Sequence, residues 1–184
     1  MNWMGSLQQL GRSLMLPMIA LPVAALLLRL AALPWHAVHM ETFGEMLRYS
    51  GDLIFLYLPF IFAVGVALGL TENSGLAGMS ALLGYFIFSE FTRRFVGEGF
   101  ELGTFGGIVI GLLAALSYHR FKNFKLPEYW QIFGGPRFVP IFMVLLAVLV
   151  SIVMIYVGPP LQVALGRLSG WVLDTGGLGV FLYG

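Results

Sequence analysis

Three histidines, nine carboxylates and ten basic side chains are scattered along a chain of 184 residues that contains no cysteine. His36, His39 and His119 each stand at the edge of an apolar run. They have no cluster of carboxylates with which to hold a metal, and no hydroxyl or thiol partner for nucleophilic catalysis. They are therefore read as facing solvent or lipid headgroups. The lack of cysteine excludes disulfides, thiolate metal sites and any cysteine nucleophile or phosphocysteine within the chain. Neither a GxxxxGK phosphate loop nor a GxGxxG fingerprint occurs. No catalytic residue, metal or cofactor is expected in these residues.

The richest chemistry lies between two greasy stretches, in residues 118–140, YHRFKNFKLPEYWQIFGGPRFVP. Arg120, Lys122, Lys125 and Arg137 interleave there with Tyr118, Phe121, Phe124, Tyr129, Trp130, Phe133 and Phe138, against a single acid, Glu128. Rings at headgroup level and cations meeting anionic lipid suit a membrane interface. Gly134-Gly135-Pro136 breaks any helix and forces a turn. Candidate functional positions are Lys125, Pro127, Glu128, Gly134, Gly135, Arg137 and Pro140. Two readings stay open: a loop that docks a partner or shapes a pathway, and a loop that anchors the chain to the bilayer. The charges are too few and too dispersed to track the phosphates of a nucleic acid. A second polar group, Arg93, Arg94, Glu98 and Glu101, is balanced in charge and reads as a solvated connection.

The elements that carry these residues must lie in a membrane. The chain is 59% hydrophobic and only 10% charged, with a mean hydropathy of +0.89, whereas soluble domains carry about 25% charged residues. A crossing helix needs about 20 apolar residues. Charge-free runs at 13–28, 53–71, 73–89, 102–119 and 138–166 predict spans near 14–33, 52–71, 74–91, 102–119 and 138–157, the last ended by Gly158-Pro159-Pro160. A polar turn, Thr71-Glu72-Asn73-Ser74-Gly75, joins the second to the third. The runs are apolar on all sides and show no alternation, which excludes a membrane barrel. The expected fold is all-α, a polytopic transmembrane bundle of about five spans plus the start of a sixth. No small-residue cleavage site follows the first run, so it is read as an uncleaved span and not as a signal peptide.

Within the spans, Gly65-x-x-x-Gly69, Gly99-x-x-x-Gly103 and Gly107-x-x-x-Gly111 each put two glycines on one helix face. Bundle packing explains them, with a dimer face or a moving joint as the alternative. Pro17 and Pro22 free carbonyls near Ser13 and Met18; those carbonyls either line a polar pathway or accompany a kink that fits its neighbours. Asp52 and Glu72 bracket the second span and read as interfacial, and Arg29 can snorkel from the end of the first. With a cytoplasmic N-terminus, Arg12, Arg120, Lys122, Lys125 and Arg137 fall on one side and Arg29, Arg48, Arg93, Arg94 and Arg167 on the other. The rule of positive cytoplasmic loops favours that orientation because one loop concentrates its positives. The final residues, TGGLGVFLYG, begin an apolar run with no charged anchor, which reads as an incomplete chain.

The same segment carries a resemblance. YHRFKNFKLPEYWQIFGGPRFVPI is similar to the pattern YNRF…KLPxxLxFFGGKRFVPI of the glucose-family enzyme IIC of the bacterial phosphoenolpyruvate-dependent sugar phosphotransferase system. LGRSLMLPMIALPVAALLLRL resembles that family's first span, LPFIFAVGVALGLTENSGLAGMSALLGYFIF its second and third, and GGIVIGLLAAL its fourth. WVLDTGGLGVFLYG resembles the approach to the next block. The ALLLR, PPLQ and GGLG stretches look closer to the N-acetylglucosamine branch than to the glucose branch. The resemblance implies a multi-pass permease of the bacterial inner membrane, N-terminus cytoplasmic, that takes up and phosphorylates a hexose with a IIB domain as phosphate donor. It implies that residues 1–184 form the scaffold and homodimer half. The family's sugar-binding histidine and glutamate lie in blocks resembling GLHH and GITE, and neither block occurs in this sequence. Which residues here bind substrate is therefore unknown, and this chain alone is not expected to catalyse. Pro136 stands where the family places a basic residue, which removes a cation there and leaves Arg137. A non-transporting membrane scaffold derived from such a permease is the alternative.

Overall fold

The computed structural model describes residues 3–97, 102–124, 129 and 134–174. Among them the regular structure is helical throughout. A helical path begins in α1 (Trp3–Ser13), and the first expected span, near 14–33, continues it in two pieces, α2 (Met15–Met18) and α3 (Ala20–Ala31). The breaks at Leu14 and Ile19 fall three residues ahead of Pro17 and Pro22. A proline cannot donate to the carbonyl one turn back, and its ring crowds that carbonyl. Ile19 accordingly donates to Leu16, a tighter three-residue step, at 3.4 Å. The buried Ser13 hydroxyl donates to Leu10 at 2.7 Å.

Pro17 is buried, and it is buried on a glycine. A Cβ added at Gly65 would lie 2.7 Å from Pro17 Cδ, and one at Gly69 would lie 2.6 Å from Ser13 Cα. Both glycines belong to α5 (Leu58–Leu70). The bends of the first span thus seat Pro17 and Ser13 in a glycine groove one turn long. The kink serves packing.

The second expected span does not run straight. The expected stretch, near 52–71, takes the last turn of a longer helix, α4 (Glu41–Leu56), and then α5, and the two helices are bent by 54° at Tyr57. Pro59 explains the joint: it sits in the first turn of α5, where a missing donor costs nothing, and it cannot donate to the Phe55 carbonyl one turn back, so the ladder of α4 does not continue through it. Asp52, expected at an interface before the span, lies instead inside α4, 4.0 Å from Arg48 one turn earlier. α3 and α4 form a hairpin around the turn at 32–40. There the Trp35 indole fills the space over Gly44, meets Phe43 edge-on at 5.0 Å and donates to the Leu30 carbonyl at 2.9 Å.

The expected polar turn at 71–75 is present, with Glu72 and Asn73 in left-handed conformation at φ 53° and 63°. It leads into α6 (Gly75–Phe95), followed by α7 (Gly103–Phe121) and α8 (Phe138–Asp174). α5 to α8 form the bundle, with a core of Ala63, Ala67, Ala77, Ala81, Tyr85, Phe88, Ile110, Ala114 and Met143. Small residues make this possible: Gly107 and Gly111 of α7 lie directly on the backbone carbonyls of Pro59 and Ala63. Close backbone approach replaces the hydrophobic driving force that lipid cannot supply. The two fully described GxxxG pairs are therefore internal packing faces, both against or within α5. Gly99 of the third pair lies outside the described residues.

The expected end of the last span at Gly158-Pro159-Pro160 is overturned, since α8 continues through it to Asp174. In water, two adjacent prolines would stop a helix. In hydrocarbon, exposed broken backbone is worse than the two missing hydrogen bonds, so the helix persists. Among the described residues three helical stretches, Gln8–Ala31, Gly103–Phe121 and Gly135–Val163, are long and apolar enough to cross a membrane, and the bent α4–α5 pair makes up to four. The remaining expected span, α6, has 21 residues and carries Arg93 and Arg94 in its last turn. The molecule is an all-α membrane bundle.

Candidate functional site

The basic, aromatic segment lies where α7 ends and α8 begins. Phe121 packs on Phe142 with ring centroids 4.4 Å apart, on Phe138 at 5.6 Å and on Phe124 at 5.9 Å; Phe124 in turn meets Phe138 at 5.5 Å. These four rings clamp the two helices together. The neck of the loop is closed by the Gly135 amide, which donates to the Phe124 carbonyl at 2.7 Å. Gly135 holds φ +64°, a region that favours glycine, and an added Cβ would come within 3.4 Å of the Lys122 carbonyl.

Of the candidate residues, Gly134, Gly135, Arg137 and Pro140 come together at this neck. Gly134 is extended and caps the 3-10 turn Gly135–Arg137, which runs straight into α8. Pro136 occupies the first turn of that element and Pro140 the first turn of α8, where backbone donors have no helical partner to lose. The geometry thus favours proline at 136 over the basic residue expected there from the resemblance. Lys125, Pro127 and Glu128 lie outside the described residues. Arg137 is exposed beside the neck, Arg120 is exposed on the last turn of α7, and the Lys122 ammonium lies 5.9 Å from the Tyr118 ring centroid, a cation–π distance.

His119 is exposed, as expected, but it also has a structural role. Its Nε2 is 2.8 Å from the carbonyl of Leu70, the last residue of α5. It therefore ties the end of α7 to the end of α5, next to the 71–75 turn. Because Ser13 packs on Gly69 and His119 on Leu70, Arg12, Arg120 and Lys122 gather at one end of the bundle, with Arg137 beside the neck. This end can present cations and exposed backbone to an anionic surface or partner. Among the described residues no group of three or more His, Asp or Glu side chains converges as a metal site.

The opposite end holds a feature that the sequence did not signal. A cavity of about 260 Å³ opens where the α4–α5 joint meets the last turns of α6 and the start of α7. The Leu-Pro pair at 58–59 was its sequence trace, but a proline inside an apolar run does not reveal what packs beside the joint.

A family model described as "Phosphotransferase system, EIIC" matches residues 11–184. The chain belongs to the EIIC family of the phosphotransferase system. Its relatives include the glucoside-specific EIICBA component of Staphylococcus carnosus, 35% identical over 100% of this chain and 33% of the relative. The glucose-specific EIICBA component of Staphylococcus saprophyticus is 35% identical over 98% of this chain and 31% of the relative. The N-acetylglucosamine-specific EIICB component of Bacillus subtilis is 35% identical over 97% and 38%. This EIIC chain spans about a third of the length of the curated relatives it matches.

Proposed function

We propose that this EIIC chain is the scaffold and homodimer-forming portion of a permease that takes up a hexose, N-acetylglucosamine or glucose, while a IIB domain phosphorylates it. The family match over residues 11–184 carries this reading, together with relatives whose names place EIIC beside B or BA components. The chain sits in the bacterial inner membrane with its N-terminus, the 71–75 turn and the 120–137 loop at the cytoplasmic side. On that side the closed, cationic neck at Gly135–Arg137 is where a phosphate-bearing partner would dock. A cation at the docking surface stabilises the approaching anion by charge-assisted hydrogen bonds.

The test is phosphoenolpyruvate-dependent phosphorylation of labelled glucose and N-acetylglucosamine in membrane vesicles. This chain is supplied there as part of a complete transporter with its phosphorylated IIB. Phosphorylation of one of the two sugars is expected, and Arg137→Ala should lower its rate at least tenfold, as loss of about 1.4 kcal/mol of charged hydrogen bonding requires. Failure to phosphorylate either sugar overturns the reading, and an unchanged rate in Arg137→Ala removes the neck from it.

A further inference from the structure

The two ends of the bundle differ in how their charges are met. At the neck end, Arg12, Arg120, Lys122 and Arg137 stand against one described acid, Glu72, and none of the four is in an ion pair among the described residues. At the other end, on α3, α4 and α6, Arg29, Arg48, Arg93 and Arg94 are matched by Glu41, Glu45, Asp52 and Glu90. Arg48 and Arg93 have their acids on their own helices, at 4.0 and 2.7 Å. The excess of positive charge is thus at the neck, where an anion is its natural counterpart.

The helices behind those cations indicate what kind of anion. Arg120 is exposed on the last turn of α7, and Leu116 and Leu112, one and two turns back, are exposed as well. Arg137 is exposed where the chain enters α8, and Ile141 and Leu145 follow it one and two turns on, both exposed. Arg12 leads in the same way into exposed Met15, Leu16 and Ile19. Side chains four apart lie one above the other on a helix, so each of these arginines heads an apolar stripe. The opposite end lacks this order. One turn back from Arg93 and Arg94 stand Ser89 and Glu90, one turn on from Arg48 stands Asp52, and only Arg29 among them adjoins an exposed leucine, Leu26.

A free phosphate or a phosphorylated side chain would use the cations and leave the stripes uncovered. A phospholipid covers both, since its phosphate stands above two acyl chains. Arg120 and Arg137 flank one neck, closed by the Gly135 amide on the Phe124 carbonyl at 2.7 Å, so the stripes of α7 and α8 start at one level. The Phe124 ring, 43% exposed beside them, suits the headgroup layer. We propose that the lipid-facing sides of α7 and α8 at the neck form a site for an anionic phospholipid. Its phosphate is held by Arg120 and Arg137, and its chains run along the stripes of Leu116 and Leu112 and of Ile141 and Leu145. Arg137 is shared with the docking reading above, whereas Arg120 takes no part in that reading, so the test turns on Arg120.

The test is native mass spectrometry of the 184-residue chain in detergent, titrated with phosphatidylglycerol or with phosphatidylcholine of the same chains. Phosphatidylglycerol is expected to bind at least about tenfold more tightly, because each cation near an anionic headgroup contributes about fivefold. Arg120→Gln should cut that preference about fivefold and leave phosphatidylcholine binding unchanged. Arg94→Gln, at the other end of the bundle, should change neither. Leu116→Gln should weaken both lipids alike, which separates the chain contact from the charge. The inference is overturned if the two lipids bind equally, or if Arg120→Gln and Arg94→Gln act alike. Competition by glycerol 3-phosphate as strong as that by the whole lipid would make this a phosphate site and also overturn it. In a complete transporter, Arg120→Gln with the lipid preference lost and IIB-dependent phosphorylation retained supports the lipid site. Phosphorylation lost with the lipid preference intact would assign Arg120 to the protein partner and sink it.

Discussion

A methyl group added at Gly107 has nowhere to go. Its position overlaps the Pro59 carbonyl oxygen, which is backbone and cannot rotate aside. α7 would have to move away from α5, breaking the close approach on which a lipid-embedded bundle depends. Gly107→Ala should therefore destabilise the chain by about 1–3 kcal/mol, the usual range for overpacking. Gly11 is the control: it is exposed on α1 with nothing within 4 Å of an added Cβ. Gly11→Ala should stabilise by roughly 0.5–1 kcal/mol, because alanine loses less backbone entropy in a helix. Thermal unfolding in detergent separates the two, and equal effects would deny that the glycine contacts matter. The spacing Gly107-x-x-x-Gly111 was visible in the sequence; that its partner is Pro59 of the same chain was not. Spacing fixes a face and says nothing of what covers it. Thr92, buried near the end of α6 with no hydrogen-bond partner for its hydroxyl, was illegible for a related reason, since a threonine at the end of an apolar helix is ordinary until its surroundings leave it unpaired.

Elements were legible where polarity marks an edge and illegible where backbone geometry does. The 71–75 turn, the start of α7 near 102 and the start of α8 at Phe138 follow from polar residues and glycines between apolar runs. The bend at Tyr57 and the continuity of α8 through Pro159-Pro160 do not, because proline has opposite meanings at a helix start and in a membrane interior. Gly135 shows the positional meaning most clearly. It is where the chain turns left-handed, and its amide closes the neck on Phe124. Gly135→Ala should cost about 1 kcal/mol of backbone strain and crowd the Lys122 carbonyl, while the four-phenylalanine clamp keeps α7 and α8 in place. The expected result is a small change in unfolding temperature with a several-fold slower IIB-dependent phosphorylation in a complete transporter. A large loss of stability with normal phosphorylation would show that the neck serves folding and has no part in docking.

At the scale of the whole molecule, the apolar exterior and the charged ends together set how the chain sits in the bilayer. α8 presents Leu145, Leu149, Val153 and Tyr156 at 60–77% exposure along one face, and α3 presents Val23, Leu26 and Leu30, with Ile19 exposed just before it. Such stripes are stable against lipid or against a second copy, and unstable against water. The charges sort to the ends: Arg12, Glu72, Arg120 and Lys122 at one, and Glu90, Arg93 and Arg94 at the other. This arrangement makes a strict prediction about sidedness. The chain has no cysteine, so single cysteines can be placed without background. Asn73→Cys and Asn123→Cys lie at exposed positions on the neck end, and Arg94→Cys is exposed at the cavity end. In inverted membrane vesicles, a membrane-impermeant maleimide should label the first two and spare the third; in right-side-out vesicles the pattern should reverse. Labelling of Asn73→Cys and Asn123→Cys from different sides would contradict the bundle itself. Joint labelling of both from the outer side would keep the bundle and invert it. The cationic neck would then lie away from any cytoplasmic phosphate donor.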